Sequence, residues 1–270
     1  MGRKLMQFST GIYLNIEGSQ FLMKKTLVYL VVSFILLSIF ATVAFGALTA
    51  EEIIKRRDNN EYFDTAKVEA EMVIINRNRR IVKTMTSYAQ GDNGLVIFSN
   101  PRDRGTKFLK RGDDLWMFFP DAEDLVKISG HMLNQGIMGS DFSYQDVMES
   151  DKLTDLYDFE RIGEEEIDGR ACYVLEGTAV EGKEVSYYRR KSWIDKERFV
   201  GLKEELYTRS GRLLKVMTVT KVKEIEGRWY PLESVMEDKL RKNTRTEFII
   251  NSIEFNPQIP LGTFTLENLR

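Results

Sequence analysis

Cysteine and histidine are nearly absent from this 270-residue sequence, because each occurs once, as Cys172 and His131. A single cysteine cannot form an internal disulfide, so no disulfide framework supports the fold. One cysteine and one histidine also cannot supply the cluster of nitrogen and sulfur ligands that a structural zinc site needs. We interpret Cys172 as a buried strand residue and His131 as a loop residue, and we expect no metal and no cofactor.

The sequence also lacks the common arrangements of catalytic groups. His131 lies among glycine and methionine, with no serine in a strained turn nearby that it could activate. Residues 136–139 lack the lysine and the spacing of a phosphate-binding loop. The acidic groups at residues 113–114 and 164–166 stand beside predicted turns, where carboxylates are usually solvated. We therefore predict no catalytic residue and expect that the protein is not an enzyme.

No strong excess of either charge is present, since 39 basic residues face 41 acidic ones. Residues 1–46 hold four of the basic residues and one of the acidic ones, so the remainder carries a net charge of −5. Proteins that bind nucleic acid usually present a basic surface instead. We expect no nucleic-acid partner.

Residues 1–46 have the pattern of a secretory signal peptide, in which Met23 is a candidate for the true start. A basic start is followed by an uncharged apolar run over residues 27–45 and by small residues before Ala47. That run is also long enough to span a bilayer, so an uncleaved membrane anchor is the alternative. No cysteine stands directly after the run, which excludes lipid attachment there. We expect residues 47–270 to form one domain that is released beyond the inner membrane.

Most of the remaining sequence has the period-two alternation of β-strands separated by short turns. Val68, Ala70, Met72 and Ile74, for example, are expected to share one face of a strand. An antiparallel sheet with this many strands must curl or close. The clearest helix begins after Thr49, which can cap the N–H of Glu52, and is predicted to bury Ile53 and Ile54 and to end near residue 59.

Two apolar stretches exceed what a simple sheet needs. Residues 115–119 are apolar on both faces of a predicted strand and therefore need cover on both sides. Residues 128–148 interrupt the strand pattern with apolar residues among glycines, which predicts a segment that covers the sheet. Within it, a short helix is expected after Ser143. Residues 151–158 are interpreted as a polar connection. Periodicity alone leaves open whether this surplus forms an ordinary core or a cavity for acyl chains. The candidate cavity and lid residues are Trp116, Met117, Phe118, Phe119, Ile137, Met138 and Phe142.

A basic run at residues 189–191 lies within a predicted strand. We interpret it as a solvated or edge-protecting face. The alternative is contact with an anionic head group or with a membrane protein.

Four segments together carry a resemblance to a known family. They are Trp-Met-Phe-Phe-Pro at 116–120, Gly-Ser-Asp-Phe at 139–142, the strand at 187–195 that ends Trp-Ile-Asp, and Phe-Thr-Leu-Glu-Asn-Leu at 264–269. In this order and spacing the sequence resembles the outer-membrane lipoprotein-sorting protein family, the periplasmic LolA-like carriers. The resemblance implies a mainly β fold: an incomplete, strongly curved antiparallel β-barrel with short helices as a lid.

The same resemblance implies a function. It is that of a soluble periplasmic carrier, a monomer, that shields the acyl chains of a lipoprotein or lipid in a hydrophobic cavity and delivers it toward the outer membrane. An inner-membrane transporter would be the donor and an outer-membrane component the acceptor. The alternative is a periplasmic sensory or adaptor module of the same fold that binds lipidated proteins or partners a membrane transporter.

Overall fold

Thirteen antiparallel strands form a single sheet in the computed structural model, which describes residues 48–149 and 151–269. The predicted signal peptide at residues 1–46 lies outside the described residues, as does its alternative start at Met23. The strands are β1 (Thr65–Asn76), β2 (Arg79–Gln90), β3 (Asn93–Phe98), β4 (Lys107–Arg111), β5 (Asp114–Phe119), β6 (Asp124–Ile128), β7 (Tyr157–Ile167), β8 (Arg170–Ala179), β9 (Arg189–Asp195), β10 (Gly201–Tyr207), β11 (Leu213–Ile225), β12 (Arg228–Asp238) and β13 (Thr244–Phe255).

The strand order is β6-β5-β4-β3-β2-β1-β13-β12-β11-β10-β9-β8-β7. Two meanders, β1 to β6 and β7 to β13, therefore join at one seam where β1 pairs with β13. Within the described chain β6 and β7 are the two edges, and the sheet is not closed into a barrel. Seven neighbouring strands, β1 to β6 and β13, contribute side chains to one apolar cluster, which requires the sheet to curve around it. The predicted incomplete, curved antiparallel barrel is confirmed.

The chain between β6 and β7 crosses from one edge of the sheet to the other. We call residues 129–156 the crossover. It contains short 3₁₀ turns at Gly130–Asn134 and Ile137–Gly139 and two short helices, α2 (Tyr144–Met148) and α3 (Leu153–Leu156). A further 3₁₀ turn, Pro120–Ala122, precedes β6. The predicted capped helix after Ser143 is present as α2, with Ser143 and Asp146 forming a capping box.

Two parts of this region differ from the sequence-based expectation. Strand β6 was not anticipated, because it has only five residues and follows Glu123, which has a positive φ of 50°. Residues 151–158 are not simply a polar connection, since α3 lies there and Leu153 and Leu156 are buried. Their spacing of three residues is too short a pattern to identify a helix from sequence.

Helix α1 (Ala50–Glu61) begins as predicted and runs two residues beyond the expected end. The hydroxyl of Thr49 accepts a hydrogen bond from the N–H of Glu52 at 3.2 Å, and the Glu52 carboxylate accepts one from the N–H of Thr49 at 2.8 Å. Ile53 and Ile54 are fully buried. The helix packs on β7, β12 and α3, so it closes the second meander on its inner side.

The outer face of β3, β4 and β5 is covered by the end of the chain. Helix α4 (Leu266–Leu269) inserts Leu269, which has no exposed surface, against Leu95 and Leu109. The side chains of Trp116 and Phe118 belong to this outer cluster. This arrangement explains why β5 is apolar on both faces.

Leu269→Ala should lower the free energy of unfolding by about 2–5 kcal/mol, because it removes a fully buried side chain from the outer cluster. Urea denaturation of the wild type and the variant measures this difference. Leu261→Ala is the control, since Leu261 is fully exposed and its truncation should change stability little. Equal losses in the two variants would show that α4 does not support the sheet.

Candidate functional site

An apolar pocket of about 350 Å³ lies between the crossover and the inner face of β1 to β5 and β13. Its volume falls within the range of about 300–1,000 Å³ that small-molecule pockets occupy. Strand alternation points the inner residues of each strand toward it, and the crossover closes the opposite side. We call this the apolar pocket; its main apolar lining residues are Met72, Met85, Phe98, Phe108, Phe142 and Phe248.

Aromatic rings form much of the pocket wall. Phe108 lies between Phe98 and Tyr144, with ring centroids 5.4 Å and 5.7 Å away and edge-to-face geometry in both pairs. Phe142 and Phe248 meet in the same way at 6.0 Å across the crossover and β13. Such pairs are favourable beyond the area they bury, so the wall keeps its shape.

Few polar groups reach this wall. The hydroxyl of Tyr144 donates to the sulfur of Met117 at 3.6 Å, and burial raises the pKa of Tyr144. Burial also lowers the pKa of Lys110, which lies on the pocket lining. A wall of this kind offers water few hydrogen bonds and suits hydrocarbon.

The part of the crossover that covers the apolar pocket, residues 129–148, is here called the lid. Asp141 fastens it to β13: the hydroxyls of Thr244 and Thr246 donate to its carboxylate at 2.7 Å and 2.8 Å. The N–H of Asp141 in turn donates to the Thr246 hydroxyl at 2.9 Å. Arg241 donates to the carbonyl of Ser140 at 2.8 Å and lies 3.5 Å from the Asp141 carboxylate. The Asp141 side chain has no exposed surface, so these bonds do not compete with bulk water.

The lid is also tightly folded on itself. A β-carbon on Gly136 would come within 2.2 Å of the Ser140 carbonyl oxygen, so only glycine fits there. The N–H of Ile137 donates to the carbonyl of Phe142 at 2.8 Å, which closes the loop. Ile137 and Phe142 are thereby held over the pocket as one unit.

The seven candidate cavity and lid residues lie in different places in the structure. Ile137 and Phe142 line the apolar pocket, whereas Met117 and Met138 pack in the inner cluster around it. The remaining three lie elsewhere: Trp116 and Phe118 face the outer cluster, and Phe119 is exposed at the end of β5.

Several lining residues were not among the sequence candidates. Met72, Met85, Phe98, Phe108 and Phe248 come from strands whose alternation is visible in the sequence. Ala70, Met72 and Ile74 share a buried inner face as predicted. Alternation alone did not show which face of each strand is concave, and that was the missing signal.

A second pocket, of about 450 Å³, adjoins the apolar one and lies between α1, α3 and strands β9 to β12. Both pockets are lined by Ala89, Gly91, Phe142 and Asp146, so they meet under the lid. We call this second one the polar pocket; its charged inner lining residues are Arg57, Asp58, Glu61, Glu149, Arg190 and Glu204.

The arginines of the polar pocket lie close to carboxylates of its lining. Arg57 lies 2.5 Å from Glu61 and 3.1 Å from Asp58. Arg190 lies 3.8 Å from both Glu149 and Glu204. Burial raises the pKa of Glu61, although Arg57 and the N–H of Gly201 act in the opposite direction.

The basic run at residues 189–191 is therefore not a single solvated face. Arg190 is only 5 % exposed and points into the polar pocket. Its neighbours occupy the other face of β9, where Arg189 pairs with Glu176 at 2.6 Å and Lys191 with Glu165 at 3.6 Å. Alternation along the strand separates three basic residues that are adjacent in sequence.

Two further properties concern the described residues only. No group of three or more histidine, cysteine, aspartate or glutamate side chains among them is placed to hold a metal ion. No helix among them is long and apolar enough to cross a membrane.

Comparison with known proteins places the chain among solved structures of similar fold. A family model described as "Uncharacterized protein" matches residues 90–270. A DUF1329 family protein from Desulfovibrio piger is similar with a TM-score of 0.74 and 27 % identity, over 82 % of this chain and 98 % of that chain. No curated protein matches the chain.

Two other solved structures have similar scores. A putative outer membrane lipoprotein-sorting protein domain from Vibrio parahaemolyticus gives a TM-score of 0.71 and 26 % identity, over 82 % of this chain and 97 % of that chain. A LolA superfamily protein from Nitrosomonas europaea gives 0.69 and 25 %, over 82 % and 100 %. In all three comparisons the match spans nearly the whole length of the solved chain.

Thr246→Val should loosen the lid, because it removes the hydroxyl that both donates to the Asp141 carboxylate and accepts from its N–H. Leaving such a buried group without a partner costs about 1–3 kcal/mol. Amide hydrogen exchange across residues 137–148 should therefore become about 5–150-fold faster. Thr220→Val, at an exposed position of β11, should leave these rates unchanged. Unchanged lid exchange in Thr246→Val would show that Asp141 does not hold the lid.

Proposed function

Because this chain belongs to the family whose model matches residues 90–270 and is similar to solved structures of LolA-like lipoprotein-sorting proteins, we propose that it is a periplasmic carrier. It shields the acyl chains of a lipid or lipoprotein in the apolar pocket and delivers the ligand toward the outer membrane. The single observation that carries this proposal is the apolar pocket, formed between a curved sheet and a lid.

The energetics of the pocket suit an acyl chain. Transfer of each methylene from water contributes about 0.8 kcal/mol, so burial of roughly ten methylenes contributes about 8 kcal/mol. A net affinity of that size corresponds to a dissociation constant near 1 μM. Met72 and Met85 line the pocket, and flexible methionine side chains adapt to chains of different shape.

Loading and release require the lid to move, since it covers the pocket. The hydrogen bonds at Asp141 fasten this part of the lid to side chains of β13, so breaking them separates it from the sheet without disrupting the strand pairing. A bound acyl chain that replaces lost contacts would lower the cost of this opening.

The route we propose begins with export directed by residues 1–46 and continues in the periplasm as a monomeric single domain over residues 47–270. An inner-membrane transporter is the donor, and an outer-membrane component is the acceptor. The solved structure from Vibrio parahaemolyticus, described as an outer membrane lipoprotein-sorting protein domain, supports this direction of transport. The protein acts as a carrier rather than an enzyme, because the proposed site is a wall of hydrocarbon side chains.

Phe142→Asp should reduce acyl-chain binding at least about 10-fold, because it places a charge on the lid where it faces the chain. Phe142 is partly exposed, so folding should suffer less than binding. Met138→Asp, also in the lid, should likewise reduce acyl-chain binding. Displacement of a fluorescent fatty acid measures binding, and thermal denaturation measures folding.

Phe119→Asp is the matched control, since Phe119 is exposed at the end of β5 and should leave binding intact. Native mass spectrometry of the gently purified protein should also detect a bound lipid. Binding that survives both lid variants would contradict the proposal. Binding without transfer to acceptor vesicles would favour the adaptor module instead.

A further inference from the structure

Arg190 occupies an unusual position for a charged residue. It is 5 % exposed on the inner face of β9, and its guanidinium lies over the ring of Tyr157 at 4.5 Å. Its nearest carboxylate oxygens, on Glu149 and Glu204, are 3.8 Å away, beyond hydrogen-bond distance. Its Nε is buried and has no hydrogen-bond partner among the described residues.

Arg57 faces the same pocket and shares this property, since its Nε is also buried without a partner in the described part of the chain. Buried polar groups in folded proteins are normally hydrogen-bonded. Each guanidinium carries five N–H donors and no acceptor. Each of the two arginines thus keeps one buried N–H donor that no described protein group satisfies.

The carboxylates of the pocket, by contrast, accept hydrogen bonds from protein groups. Asp58 accepts from the N–H and the hydroxyl of Thr154, both at 3.0 Å. Asp146 accepts from Lys215 at 2.6 Å and from the hydroxyl of Tyr187 at 2.5 Å. Among the described residues that line this pocket, the buried side-chain atoms without a hydrogen-bond partner are thus the two arginine Nε donors.

Glu149 and Glu204 are occupied in the same way. Glu149 accepts from the N–H of Ser186 at 2.5 Å. Glu204 accepts from the hydroxyl of Ser192 at 3.3 Å.

The charge of the pocket limits what the ligand can be. Three cationic side chains, those of Arg57, Lys152 and Arg190, face seven carboxylates on the lining: Asp58, Glu61, Asp92, Asp146, Glu149, Asp151 and Glu204. A full negative charge brought beside them would be repelled in a poorly solvated site. An uncharged group with carbonyl oxygens accepts hydrogen bonds without adding charge.

The position of the pocket fits such a group. It meets the apolar pocket under the lid, where Phe142 and Asp146 line both. An acyl chain in the apolar pocket that extends toward this junction therefore directs its carbonyl end to the polar pocket.

From these observations we infer that the polar pocket binds the uncharged ester or amide linkage of an acylated ligand, with Arg190 and Arg57 donating to its carbonyl oxygens. This inference rests on the proposed function, because it assigns the ligand's polar end to the pocket beside its chain. The protein then selects acyl esters and amides, as in acylglycerols or N-acylated peptides, over free fatty acids.

The test compares three ligands with the same chain: monopalmitoylglycerol, an N-palmitoyl peptide amide and palmitate. Binding to the full-length protein is measured by displacement of a fluorescent probe at about pH 8, where the palmitate carboxylate is ionised. The ester or the amide should bind about 10–100-fold more tightly than palmitate. This ratio of affinities is the size expected when a charged donor forms hydrogen bonds to the ligand. The stronger of the two identifies an acyl lipid or an acylated peptide as the source.

Arg190→Lys tests the assigned residue. It keeps the charge between Glu149 and Glu204 but loses the planar set of donors, so binding of the preferred ligand should fall about 10-fold while palmitate binding changes little. Arg189→Lys is the matched control on the opposite face of β9. It should change neither the binding of the preferred ligand nor that of palmitate.

The outcomes separate this inference from the proposed function. If no palmitoyl compound binds, the carrier function itself fails. If all three bind equally, or palmitate binds best, the inference is overturned while the carrier function stands. The selectivity of the unmodified protein decides the question even if Arg190→Lys does not fold.

Discussion

The structure depends on one topological constraint: the two edges of the sheet are consecutive in sequence. Strands β6 and β7 lie at opposite ends of a thirteen-stranded sheet, yet only residues 129–156 connect them. The connection must therefore cross the concave face, and its apolar side chains are buried there. A lid over a cavity is the direct result, because the crossing cannot fill the whole concavity with its short helices and turns. The division into an apolar and a polar pocket follows from which meander lies beneath each part of the crossing.

Features that depend on local interactions were predictable from the sequence. The capping box of Thr49 and Glu52 involves residues three positions apart, so the start of α1 could be recognised. The same holds for Ser143 and Asp146 at α2. Alternation placed Ala70 and Met72 on one face of β1, and the number of strands required a curved sheet. The apolar interruption near residues 128–148 identified the lid because surface loops do not carry so much hydrocarbon.

Features that depend on distant partners were not predictable. Alternation shows that Trp116 and Met117 point in opposite directions, but only the docking of α4 and of the crossover decides which face is outer. Burial of Arg190 requires Glu149 and Glu204 from other elements, so its sequence neighbours gave no indication of it. Strand β6 has five residues and depends on pairing with β5 rather than on its own composition. Each of these features is set by contacts that form only in the complete fold.

The seam between β1 and β13 has a consequence for how the chain folds. It pairs Ala66 with Phe255 and Asn76 with Thr244, residues from opposite ends of the described chain. Each meander can form from neighbouring hairpins, but the seam needs both to be in place, and closing so long a loop is slow. Until it closes, the facing edges of β1 and β13 keep unpaired backbone groups that can pair with other chains. The late step that completes the sheet is thus also the step at which aggregation competes with folding.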